Sequence, residues 1–358
     1  MLKSSLAKIV RPSYSSYLLQ PHRRLLCFAL ATVVLFSFSA CNRSRRRVLE
    51  VNYVSAVQAT LRDQVATIYN RVAIVKNGER VEVLEHEKRF ARVRTASGVE
   101  GWIEQRYLVD QQIFDGLQKL TKDNLSDPVQ APGVLRNDTN LHLTPGRETE
   151  HLYQLAAGAK VSVLRRATTE KQPGLVVQPK GGGKTSGPVL EDWWLVRDAE
   201  NRVGWVLARM VDIDVPLDIA QYAEGQRFVA FFALNQVHDP GKEGADKSVS
   251  QYLGVLTEPH DGLPYDYDQI RVFTWNLRKH RYETAYREHG LNGFLPVNVT
   301  TENFDKEGTL PVFILHVKDD GGNVHERTYK MNSPIVRRVL APGEQKEAPR
   351  ATAKRRRR

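Results

Sequence analysis

The stretch Gly101-Trp102-Ile103-Glu104-Gln105-Arg106-Tyr107-Leu108 returns 103 positions later as Gly204-Trp205-Val206-Leu207-Ala208-Arg209-Met210-Val211. Phe90-Ala91-Arg92-Val93-Arg94 meets Trp193-Trp194-Leu195-Val196-Arg197 at the same offset, giving aromatic, spacer, spacer, Val, Arg in both. Further back, Gly78-Glu79-Arg80-Val81-Glu82-Val83-Leu84 meets Gly158-Ala159-Lys160-Val161-Ser162-Val163-Leu164 at an offset of 80, so the second copy carries one insertion of 23 residues. It falls at 167–191 and contains Gly181-Gly182-Gly183-Lys184-Thr185-Ser186-Gly187-Pro188, the composition of a loop. One small module therefore occurs twice.

Within each copy, short runs such as Val57-Gln58-Ala59-Thr60-Leu61-Arg62, Val81 to Leu84 and Phe90 to Arg94 alternate apolar and polar residues between Gly-bearing turns. That period of two marks antiparallel strands, and about sixty residues suits a five-stranded barrel. The order Leu-Arg, Asn-Gly or Ala-Gly, Val-x-Val-Leu, aromatic-x-x-Val-Arg, Gly-Trp and a closing Tyr-Leu or Met-Val resembles the bacterial SH3-like domain. The second copy departs at its first position, with His142 in place of arginine. The resemblance implies two tandem small barrels, at 51–112 and 134–212. A glycine at a barrel corner lets the chain bend, and the indole beside it covers the end of a small core. The alternative is that an indole face lines a groove for a peptide or glycan. The candidate ligand-binding residues on that second view are Trp102, Tyr107, Trp193, Trp194 and Trp205. Members of the resembled family often bind peptidoglycan peptides, and others only pack against a neighbouring domain.

The whole chain of 358 residues is 41% hydrophobic and carries a formal charge of +11. Residues 1–40 hold five bases and no acid; setting them aside leaves +6, and setting aside Arg43, Arg45, Arg46, Arg47 and the tail Lys354 to Arg358 leaves −3. The folded body is thus slightly acidic, which argues against a basic groove for DNA or RNA. Both cysteines, Cys27 and Cys41, lie in or beside the first apolar run. The body has no thiol for a disulfide, a thiolate zinc site or a nucleophile.

Arg23-Arg24 precedes sixteen uncharged residues, Leu25 to Ala40. A bilayer-spanning helix needs about 20 apolar residues, so this run fits a signal peptide over 1–40. Its end, Phe38-Ser39-Ala40-Cys41, resembles the lipobox of bacterial lipoproteins, with Phe38 where that family prefers leucine. The resemblance implies cleavage before Cys41 and its lipidation, and a basic tether over 41–50. An uncleaved signal anchor is the alternative. The arginines then lie against anionic headgroups or form a solvated spacer. Asn42 is not the aspartate that the Gram-negative family uses for inner-membrane retention, which favours the outer membrane.

Residues 113–133 read as a linker, and Val215 to Gly225, within 213–225, as a short linker helix ending in glycine. From 226 to 341 strand-like runs follow, including Phe228 to Leu234, Tyr252 to Leu256, Ile270 to Trp275, Val312 to Val317 and Val324 to Tyr329, with turns at 276–279 and 319–323. The fold class expected is all-β: two SH3-like barrels, then an antiparallel sandwich-like domain. His238, His260, His280, His289, His316 and His325 lie in this last part without metal-ligand spacing. Asp261, Asp266 and Asp268 lack the order of a calcium loop. Gly183-Lys184-Thr185 is no phosphate loop, because Gln178 stands where the first glycine belongs. Residues 342–358 read as a disordered basic tail.

No catalytic residue, metal site or cofactor is expected. The chain reads as a non-enzymatic, membrane-anchored envelope lipoprotein that binds or scaffolds through its SH3-like pair, with peptidoglycan or an envelope protein as partner. A wall hydrolase that uses the pair for targeting, and a purely structural scaffold, are the competing readings.

Overall fold

The computed structural model describes residues 46–171, 188–243 and 245–340. The signal peptide, Cys41, the core of the insertion and the basic tail lie outside these described residues. From Leu49 onward the described residues form one compact unit of three seven-stranded sheets.

The first sheet holds β1 (Glu50–Val54), β2 (Gln58–Arg62), β3 (Arg71–Lys76), β4 (Arg80–Glu87), β5 (Phe90–Thr95), β6 (Glu100–Glu104) and β7 (Leu108–Asp110) in the order β3-β2-β6-β5-β4-β1-β7. Helix α1 (Gln111–Asp123) follows. The second sheet holds β8 (Ala131–Leu135), β9 (Thr139–His142), β10 (His151–Leu155), β11 (Lys160–Glu170), β12 (Leu190–Arg197), β13 (Val203–Leu207) and β14 (Val211–Ile213) in the order β10-β9-β13-β12-β11-β8-β14. Each strand of the second sheet thus occupies the place of the strand seven earlier. The duplicated sequence folds into a duplicated topology.

Three expectations about the barrels need correction. Where the pattern marks five strands, the structure has seven. β1 and β3 escape the pattern; in β3, at a sheet edge, apolar residues stand on both faces, Val72 and Ile74 exposed and Val75 buried, so apolar and polar residues do not alternate along it. The insertion does not begin as a loop: residues 167–170 and 190–191 prolong β11 and β12 into a longer hairpin. Finally, 113–133 is no linker. Asp110 caps α1 by accepting from the Ile113 N–H at 2.9 Å, and Ile113, Phe114, Leu117 and Leu120 recur at helical spacing. The remainder includes most of β8, the first strand of the second barrel.

Helix α1 is a strut between the barrels. Phe114 stacks on Tyr53 of β1 with ring centroids 4.0 Å apart, while Leu117 is fully buried in the core cluster built mainly from the second barrel and the third sheet. Thr121 accepts a hydrogen bond from the Val203 N–H at 3.0 Å. A second tie is the Asn77 side chain, which donates to the Leu152 carbonyl at 2.8 Å and accepts from the Gln154 N–H at 3.1 Å. The barrels are therefore held at a set angle by apolar burial and backbone hydrogen bonds.

After the short α2 (Leu217–Ala220) and a 3-10 turn, the third sheet runs in sequence order: β15 (Arg227–His238), β16 (Ser248–Thr257), β17 (Tyr267–Asn276), β18 (Arg281–Asn303), β19 (Thr309–Lys318), β20 (Val324–Asn332) and β21 (Ile335–Val339). The domain is one continuous meander rather than two separate sheets. β18 is long enough to serve both halves, pairing with β17 up to Gly293 and with β19 from there to Asn303. Its core joins that of the second barrel, whereas the first barrel keeps its own around Val54, Leu61, Val83 and Ile103. Gln130 stitches the junction: fully buried, it accepts from the Val297 N–H at 2.7 Å and, through its backbone carbonyl, from the Phe231 N–H at 2.9 Å.

Candidate functional site

The two Gly-Trp dipeptides occupy equivalent places. Trp102 on β6 lies opposite Arg62 and Arg92, and Trp205 on β13 lies opposite His142 and Leu195. The glycines serve a close crossing rather than a left-handed bend. A Cβ on Gly101 would stand 2.8 Å from the Leu61 Cβ, and one on Gly204 2.7 Å from the Leu141 Cβ, and neither backbone has positive φ. Any side chain there would push β2 or β9 off the barrel.

The aromatic residues expected to face a ligand divide by burial. Trp193 and Trp194 are each 2% exposed and Trp102 is 7% exposed, so these three plug the fold, which corrects their reading as groove-lining groups. Trp205 is half-buried and packs with Leu164, Leu195 and Val203 beneath Leu120 of α1. Tyr107 is half-buried too, its hydroxyl accepting from the Arg106 guanidinium at 2.8 Å. The structure does not bring these five together at one surface.

The open site lies beside Arg62, the residue opposite Trp102 in the first barrel. A groove of about 540 Å³ opens between the β2–β3 loop and the β4–β5 turn, lined by Arg62, Val65, Ala66, Thr67, Lys88, Arg89 and Phe90. Its base is a cation–aromatic stack, with the Arg62 guanidinium 4.2 Å from the Tyr69 ring centroid and 5.0 Å from that of Phe90. Glu104 holds Arg62 from the far side at 3.2 Å. Arg89 lies 5.5 Å from the Phe90 centroid. Lys88 and Arg89 are exposed and make no ion pair among the described residues. Lys88 sits at φ +52° in the turn, a left-handed conformation that costs a lysine about 1 kcal/mol. The loop side adds exposed Ile68. The groove thus offers two uncommitted cations beside an aromatic floor and small apolar walls, with room for a short anionic or polar segment.

The same cleft in the second barrel is shut. At the offset of 80, Arg147 stands in the place of Thr67, and at 103 Glu191 and Asp192 replace Lys88 and Arg89, with Trp193 for Phe90. Arg147 grips Glu191 through two hydrogen bonds, at 2.8 and 2.6 Å, and those bonds hold the Glu191 carboxyl below the ordinary carboxylate range. In place of the Arg62–Phe90 stack, His142 lies edge-on to Trp193 at 5.3 Å and bonds Thr149. Burial, with His151 adding, pushes the His142 imidazole down to about 4, so it is neutral there. Arg62 and Phe90 belong to the repeated pattern but were read there as strand residues, and Lys88 and Arg89 stand outside it. The inversion from Lys-Arg to Glu-Asp ahead of the matched aromatic was the signal that could have found them.

Several polar residues in the third sheet and its loops serve structure. Asp261 and Asp266 pair with Arg227 and Arg166 at 2.9 and 3.1 Å. His280 bonds the buried Asp239 at 2.7 Å, and His316 the Pro296 carbonyl at 2.7 Å. Among the described residues no group of three or more His, Cys, Asp or Glu side chains is placed to hold a metal ion.

Residues 58–109 match the model of the bacterial SH3 domain, and residues 137–212 that of the GW (Gly-Tryp) dipeptide domain; both support SH3-like modules at the duplicated segments. No curated protein matches the chain in sequence. Among solved structures the chain is similar to NlpC2 of Trichomonas vaginalis at 12% identity and a TM-score of 0.17, over 83% of this chain and 97% of that one. It is also similar to an NlpC/P60 family protein of Bacillus cereus ATCC 10987 at 10% identity and a TM-score of 0.22, over 79% and 95%. Superpositions this poor carry no argument about architecture or activity.

Proposed function

We propose that the protein is a non-enzymatic binding protein of the bacterial cell envelope, tethered to a membrane through lipidated Cys41, that holds a peptide of the wall in the groove of its first barrel. One contrast supports this reading above all: the repeat keeps the cleft open, cationic and aromatic in the first copy and closes it with Arg147–Glu191 in the second. The second barrel, its Trp205 face covered by α1 and its core merged with the third sheet, is the hub that positions the first. Matches to the bacterial SH3 and GW models support cell-wall binding as the role of the pair.

Retention of the full-length protein on isolated sacculi tests the site. Ala66 is exposed on the groove wall, so Ala66→Trp fills the groove without altering charge or core. Retention is expected to fall at least about fivefold while circular dichroism and the melting curve stay as in the parent; unchanged retention defeats the proposal. The tether has its own check. Mass spectrometry is expected to find the mature chain starting at Cys41 with added acyl mass, and a chain starting elsewhere or without lipid removes the membrane anchor.

A further inference from the structure

The closed cleft of the second barrel reports what the open one is built to receive. Glu191 reaches across from the strand side and places its carboxylate against the loop, where Arg147 takes it as a planar two-bond pair, the arrangement in which a guanidinium best recognises a carboxylate. The second copy therefore carries an occupant of its own cleft, and that occupant is a carboxylate. In the first copy the strand wall is cationic and the loop wall has lost its cation. The strand side presents Lys88 and Arg89 as cations, the loop side presents Thr67, and no side chain among the described residues supplies the anion.

We propose that the first barrel's groove is a receptor for a carboxylate on its ligand, held by Lys88 and Arg89 at the place that Glu191 fills in the second barrel. This rests on the groove being the ligand site, and it names the ligand class: a peptide bearing a carboxylate next to a small apolar side chain. Val65 and Ala66 wall the groove and Phe90 floors it, which suits a methyl better than a long polar chain. The cations lie at an exposed turn, so the ligand's charge is met without burying an unpaired ion.

Fluorescence anisotropy on the full-length protein tests this with three dye-labelled probes: Gly-Ala-Ala with a free carboxyl terminus, its carboxyl-terminal amide, and the amide of Gly-Glu-Ala. The free acid is expected to bind at least tenfold more tightly than the first amide, and to weaken as salt rises. The Gly-Glu-Ala amide matching the free acid supports the carboxylate and places it on a side chain. The double variant Lys88→Glu, Arg89→Glu is expected to abolish the preference. So is Thr67→Arg with Lys88→Glu, which rebuilds the second barrel's closing pair in the first and keeps one cation and one anion in place of a neutral residue and a cation. Equal binding of free acid and amide, or binding of neither, overturns the proposal. If sacculus retention still falls in Ala66→Trp while acid and amide bind alike, the carboxylate is lost and the wall site stands. If Ala66→Trp leaves retention unchanged while the free acid is preferred, the wall reading falls and the carboxylate receptor stands.

Discussion

Replacing Asp192 with alanine is expected to destabilise the junction of the second barrel and the third sheet by about 3–5 kcal/mol, the usual consequence of removing one member of a buried ionic network. Asp192 is completely buried. One carboxylate oxygen accepts from Arg166 at 2.8 Å, from the Thr168 hydroxyl at 2.8 Å and from the Gly262 N–H at 3.2 Å; the other accepts from Arg227 at 3.1 Å. Arg166, its side chain 5% exposed, also reaches Asp266 at 3.1 Å and the carbonyls of Tyr265 and Leu263. Burial drives the Asp192 carboxyl upward, but Arg166, Thr168 and Gly262 outweigh it and the net shift is downward. A carboxyl lowered in the folded state contributes stability that is complete above its unfolded value, near 4, and is lost as pH falls through the lowered native value. Urea melts at neutral pH check the substitution, and a loss under about 1 kcal/mol would show that Arg166 finds other compensation.

Trp193→Ala carries the second large effect, about 3–5 kcal/mol from the lost aromatic burial and the cavity left behind. The ring is 2% exposed and backs the His142 imidazole. Trp193→Phe is expected to cost far less, for two reasons on the same barrel frame. The first copy already holds a phenyl ring there, Phe90, and the indole N–H of Trp193 is buried without a hydrogen-bond partner, so phenylalanine removes an unsatisfied donor. Thermal melts of the two variants separate these outcomes; equal losses would show that a phenyl ring recovers none of the packing that the indole supplies. Exposed Arg89, by contrast, should change stability by less than about 0.5 kcal/mol when truncated. Loss of binding in a Trp193 variant would therefore report unfolding, whereas loss in an Arg89 variant would not.

Much of the architecture was legible. The Gly-Trp echo at 103 positions placed Trp102 and Trp205, and both appear on matched strands opposite matched partners. Helix α1 was missed: Asp110 and the spacing of Ile113, Phe114, Leu117 and Leu120 signal it, but lying between two copies it read as a linker. The candidate site was less so, because large aromatic residues draw attention and here mostly lie inside. An indole beside a strand glycine has the same local pattern whether its face is wet or dry. Only the neighbouring elements decide which.

The sequence by itself determined that a small β module occurs twice, because alternation of apolar and polar residues along a strand is a local property, copied with the residues. Tertiary structure decided that the two copies present different clefts. Whether Lys88 and Arg89 stay free and Glu191 is captured depends on which side chains face one another across a cleft between segments about twenty residues and more apart. That pairing is set by how the β2–β3 and β9–β10 loops fold over their barrels, and by what α1 and the third sheet cover, contacts that no run of neighbouring residues encodes.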